Sequence, residues 1–134
     1  MYEPRRTQKV TAQFDGSVSL DITDTDVHES DDIVVGSSKF MSAVIELSKN
    51  DAADGTISIE LWVCIEARNG EHWGEFLDEP WGVLTISTTE FDSNQYKQYV
   101  TTALPIAGDK LKFRVTRSSS TGRITIDAIT LILH

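Results

Sequence analysis

Residues 56–68 read Thr-Ile-Ser-Ile-Glu-Leu-Trp-Val-Cys-Ile-Glu-Ala-Arg. Ile57, Ile59, Leu61, Val63, Ile65 and Ala67 alternate with Ser58, Glu60, Trp62, Cys64, Glu66 and Arg68. A period of two held this long specifies one long β-strand with an apolar face and a mostly polar one. A helix would wrap these aliphatics around all its sides, and the β-branched side chains favour a pleated strand. Such a strand needs a second sheet to cover its apolar face.

The same alternation recurs to either side. Val10, Ala12 and Phe14, then Asp15-Gly16, then Val18, Leu20 and Ile22 predict a β-hairpin. Met41, Ala43, Ile45 and Leu47 share one face of a strand over 39–48. The turn-forming residues 50–55 should join it to the central strand as a long antiparallel hairpin. Leu84 and Ile86 mark a further strand, broken at 90–93. Residues 94–104 fit helical spacing behind a cap, but the Tyr-Val-Thr-Thr run favours a strand, which is the expectation adopted. Leu111, Phe113 and Val115 alternate with a basic comb of Lys110, Lys112 and Arg114, followed by a hairpin turn at 118–122. The comb reads either as a solvated face or as a surface for an acidic partner, such as the acidic loop of a neighbouring copy.

The last strand, 123–134, changes phase. Ile124 and Ile126 share one parity, and Ile129, Leu131 and Leu133 the other. Either a β-bulge near Asp127-Ala128 returns both sets to one face, or both faces are buried, one in the core and one against another subunit. On the second alternative Ile129, Leu131 and Leu133 are partner contacts.

Bulk properties bound the function. The 134 residues suit one domain, 40% hydrophobic and 25% charged. With 21 acidic and 12 basic side chains the net charge is −9, which disfavours nucleic acid and an electrostatic membrane anchor. Cys64 alone forms no intrachain disulfide and suits a reducing compartment. No apolar segment resembles a signal peptide or a membrane span, so a soluble protein made in the cytoplasm is expected.

Three stretches are candidate sites. Residues 1–9 form an arm, with Arg5, Arg6 and Lys9 placed to contact the body or a neighbouring chain. Residues 21–32 gather Asp24, Asp26, Asp31 and Asp32 beside His28. These carboxylates are a weak candidate for Ca²⁺, but the spacing does not fit an EF-hand, and a solvated acidic loop with an exposed His28 is preferred. The stretch 69–82, read as a loop, sets Trp73, Phe76 and Trp81 beside Glu75, a combination suited to stacking on a sugar. The same rings would equally cap one end of the sandwich. No phosphate loop, paired metal histidines or nucleophile elbow occurs. A non-enzymatic protein without cofactor or metal is therefore expected.

The stretch Lys110–Thr116, its Ser/Thr/Gly turn and Arg123–Leu131 resemble the closing hairpin of jelly-roll β-sandwiches. That group includes galactose-binding-like and carbohydrate-binding modules and the accessory proteins of tailed phage virions. The resemblance implies an antiparallel sandwich of about eight strands over residues 10–134, behind the 1–9 arm. It implies either a structural phage protein, such as a capsid decoration (cement) protein, or a carbohydrate-binding module. The first would act in the virion on capsid or other virion proteins and on itself, as a homo-oligomer such as a trimer. The second would bind a glycan through Trp73, Phe76 and Trp81.

Overall fold

A computed structural model describes residues 8–67, 69–75, 83–91, 97–100, 104–105 and 108–134. The chain is all-β, and the described residues form twelve strands in two antiparallel sheets that share one core. The strands are β1 (Gln8–Thr11), β2 (Leu20–Ile22), β3 (His28–Glu29), β4 (Ile33–Val34), β5 (Phe40–Lys49) and β6 (Thr56–Ala67). They continue with β7 (Gly70–Glu75), β8 (Val83–Ser87), β9 (Lys97–Val100), β10 (Leu104–Pro105), β11 (Lys110–Arg117) and β12 (Ile124–Leu133). A 3₁₀ turn, Thr88–Glu90, follows β8 and is closed by a capping box between Ser87 and Glu90.

Each sheet is built on two long central strands, β12 and β5 in the first and β11 and β6 in the second. Each edge is one line of chain broken into two short pieces. On β12, β1 pairs from Leu133 to Thr130 and β2 resumes from Ile126 to Ile124, so both run in the same direction. β3 and β4 do the same on β11, β7 and β8 on β6, and β9 and β10 on β5.

This arrangement corrects three expected hairpins. β5 and β6 lie in different sheets, as do β11 and β12, so the 50–55 and 118–123 segments cross between layers. The Asp15-Gly16 turn exists, with φ of 54° and 80° and a single Phe14–Ser17 bridge, but it is an excursion between β1 and β2. The physical reason is common to all three. Alternation fixes which face of a strand is apolar, and a sheet-to-sheet crossing satisfies that face as well as an in-plane hairpin does. Residues 70–75, expected as loop, instead form β7, which pairs with β6. In 97–100 the strand preference prevails.

In β12 the register on β5 shifts between Ile126 and Ala128, and the Ser48 hydroxyl donates to Asp127 Oδ1 at 3.2 Å. The bulge returns both apolar sets to the core: Ile124, Ile126, Ile129 and Leu131 are 0% exposed and Leu133 1%. Ile129, Leu131 and Leu133 are therefore core residues of this chain and form no second, outward apolar face.

One buried cation closes the end of the two layers. Arg117 is on the inward face of β11, 3% exposed. Its Nη1 donates to the carbonyls of Ile22 (2.9 Å) and Gly122 (3.1 Å), and its Nη2 to those of Asp54 (3.2 Å) and Thr121 (2.8 Å). Desolvation holds this guanidinium's pKa below its ordinary value. Around it the two crossings are bonded together, with Arg123 N donating to Asn50 Oδ1 at 3.0 Å and Thr56 N to Ser118 Oγ at 2.8 Å. Gly122 is required here, because φ is +66° and a Cβ would lie 2.5 Å from Ala53 N. Arg117→Leu strips four carbonyls of their donor, and the expected loss is about 3 kcal/mol or more by urea denaturation. A loss under about 1 kcal/mol would show that Arg117 does not hold this end together.

Candidate functional site

Two surfaces carry the residues with chemical potential. The first is the outer face of the second sheet. β11 turns Lys110, Lys112 and Arg114 outward, and β6 turns out Glu60, Trp62, Cys64 and Glu66. β7 adds Glu71 and Trp73. Across the strands Lys110 is opposite Cys64, which is opposite Trp73, and Lys112 is opposite Trp62.

All three basic side chains lean one pair along the sheet. Arg114 lies over the Trp62 ring, 4.6 Å from its centroid. Lys112 Nζ is 4.4 Å from the centroid of Trp73. Lys110 reaches Glu71, with Glu66 at 3.5 Å. Glu29, from the β3 edge, divides its oxygens between Arg114 Nε (3.1 Å) and Lys112 Nζ (3.3 Å). Trp62 Nε1 donates to Glu60 Oε2 at 2.8 Å. The comb is thus neutralised within its own chain, and the acidic stretch that meets it is the chain's own. Cation–π contacts of this kind contribute about 0.5–2 kcal/mol each.

The hydrogen bond from Lys110 holds the Glu71 carboxyl below the ordinary glutamate value and raises the Lys110 ammonium. Cys64 is buried between Lys110 and Trp73, and burial pushes its thiol up, away from the reactive thiolate.

The second surface is the flank where the β1–β2 edge of the first sheet meets the β3–β4 edge of the second. The interruptions in both edges meet there. Asp31 N donates to the Gln13 carbonyl at 2.7 Å, and Gly16 N donates to Asp31 Oδ2 at 3.3 Å. Behind them the Ser30 hydroxyl accepts from Phe113 N at 2.8 Å. On either side of this bridge lies a hollow of about 300 Å³. One is a groove lined by Val10, Thr11, Asp31, Asp32, Ile33 and Val34. The other is lined by Phe14, Asp15, Val27, His28, Glu29 and Asp31. Val34 is 66% and Val27 48% exposed, so each hollow carries one large exposed hydrophobic.

The weak Ca²⁺ candidate, Asp24, Asp26, Asp31 and Asp32, is not assembled as a group. Asp24 Oδ1 is 2.7 Å from His28 Nε2, and that hydrogen bond lowers the Asp24 pKa. Asp31 is bonded to Gly16, while Asp26 and Asp32 are exposed. Among the described residues no three His, Cys, Asp or Glu side chains are grouped to hold a metal ion. His28 is half-buried on its aspartate, where an exposed histidine was expected. Trp73 lies on β7 and not in a loop, while Phe76 and Trp81, like Arg5 and Arg6, fall outside the described residues. Glu75 is on β7, paired in the backbone with Trp62. Lys9 is exposed on β1, paired with Ile132. Trp62 and Glu29 are functional candidates that the sequence reading does not include, nor does it include the cation cover of Trp62 and Trp73. Their signal was the shared outward parity of Trp62 with Glu60 and of Lys112 with Arg114.

No protein-family model matches the chain, and no curated protein matches it. No helix among the described residues is long and apolar enough to cross a membrane.

The Glu71–Lys110 pair has a pH signature. A carboxyl whose pKa is lower folded than unfolded stabilises the fold above its unfolded value, and loses that contribution as pH falls through the folded one. Glu71→Gln is expected to be less stable than the parent at neutral pH. The gap should close as urea midpoints are followed into acid. A gap that stays constant with pH would mean the pair contributes nothing.

Proposed function

We propose that the protein is a non-enzymatic structural component of a phage particle, a capsid decoration or similar virion accessory protein working through protein–protein contacts. The fold underlying this reading is a jelly roll. When each interrupted edge is counted once, the twelve strands reduce to eight, ordered 1-8-3-6 and 2-7-4-5 in the two sheets. That order is the one expected of the two Greek keys of a jelly roll, and it supports the reading of the closing strands at the level of fold.

The observation that carries the functional reading is the flank. Val27 and Val34 lie beside Asp15, Asp31 and Asp32 in two shallow hollows, apolar side chains with an acidic rim. Such a composition suits a protein contact, in which apolar anchors are buried and charges set register at the rim. The binding surface is thus this flank, in place of the outer face of the last strand.

Tagged protein mixed with mature particles of the phage that encodes it is expected to sediment with them. Val27→Asp combined with Val34→Lys should leave it in the supernatant with its melting temperature unchanged. Retention of the double variant on the particle would reject the flank as the contact, and parent protein that never sediments would reject the virion role.

Carbohydrate binding is the second reading, favoured by Trp62 and Trp73 sharing one outward face with Glu60 and Glu71. Both rings are covered by cations, so a sugar would have to displace Lys112 or Arg114 to stack. A glycan array then gives a positive spot that Trp73→Ala abolishes. An array blank for the parent removes this reading.

A further inference from the structure

The groove between β1 and β4 has the form of a slot for an extended chain. β1 is the outer strand of one sheet and β4 of the other, each with a described neighbour on one side only. Main-chain donors and acceptors along such edges are open to an added strand. Val34 offers a largely exposed apolar side chain on one wall, and Val10 lies on the other. The rim is acidic, with Asp31 and Asp32 in the groove and Asp15 in the adjoining hollow. An occupant should therefore be extended and basic, with an apolar or aromatic side chain.

We propose that this groove takes residues 1–7 of a second copy of the chain. This deepens, and rests on, the reading of the flank as a contact surface. Residues 1–7 read Met-Tyr-Glu-Pro-Arg-Arg-Thr, a net positive segment on a chain of net charge −9. Arg5 and Arg6 complement Asp31 and Asp32, and Tyr2 complements the valines. The segment joins the body at Gln8, which itself lines the groove. Seven extended residues span about 23 Å, enough to pass from the rim of one groove into that of a facing copy. Because donor segment and acceptor groove share one rim, the exchange is reciprocal and closes as a two-fold dimer.

Light scattering over a concentration series tests this on the full chain. The parent is expected at twice the chain mass, and a variant lacking residues 1–7 at the single mass. Asp32→Lys should also give the single mass, since no hydrogen bond or ion pair engages that side chain within the described fold. Combining Asp32→Lys with Arg5→Glu and Arg6→Glu should restore the double mass, which a merely misfolded variant could not do. A parent that is a single chain at every concentration overturns the exchange, as does a dimer that survives deletion of residues 1–7. Either result, obtained with particle sedimentation intact, rejects the exchange alone and leaves the virion role standing.

Discussion

The fold depends on a buried positive charge whose hydrogen bonds all go to backbone carbonyls. Arg117 is buried on the inward face of β11, and its two Nη groups are met by four carbonyl oxygens from three separate stretches of chain. The planar fork of the guanidinium suits this role, because it presents several donors in fixed directions at once. Carbonyl dipoles offset its desolvation, and each carbonyl gains a charged donor that a neutral side chain would not supply. The end of β2, the β5–β6 crossing and the β11–β12 crossing are thereby set at fixed distances from one another. Closeness at this end explains Gly55 and Gly122, whose neighbours leave no space for a Cβ.

Much of the molecule was legible in the alternation of its residues. β5, β6 and β11 carry one apolar and one polar face, and the apolar sets Met41–Leu47, Ile57–Leu61 and Leu111–Val115 form the core as read. What alternation does not encode is the lateral neighbour of a strand. Hence the 50–55 and 118–122 turns read as hairpins in the sequence, although each carries the chain across the core. β7 was hidden because Gly70 and Gly74 occupy alternate positions that ordinarily carry the pattern. β12 was half legible. Its change of phase announced either a bulge or a second interface, and only the hydrogen bond to Asp127 and the neighbouring register select the bulge.

The candidate surfaces were less legible, for an electrostatic reason. The comb of Lys110, Lys112 and Arg114 looked available to an outside partner because its counterions lie far away in sequence, at Glu29, Glu66 and Glu71. Once the sheet is formed, the described Lys and Arg ion pairs all lie on that one outer face. The acidic flank keeps its charge, with Asp24 and Asp31 held by a histidine and a backbone amide. The fold thus separates a compensated face from an acidic one, although the sequence mixes the two signs freely.

The order of strands in the first sheet also governs when the protein is able to form. β1 has β12 as its partner in the sheet, and β2 likewise depends on β12. β5 takes β12 along its whole length. On a ribosome β1 and β2 must therefore wait, unpaired, until residues 124–133 have emerged, and β5 has until then only β9 and β10 beside it. Their apolar faces meanwhile have only transient cover. Contacts between residues so distant in the chain are slow to form, because the intervening loop must close before any contact offsets its entropy. Folding is thus expected to be a late, concerted event that follows synthesis of the whole domain, and the nascent chain is the state most in need of chaperone protection.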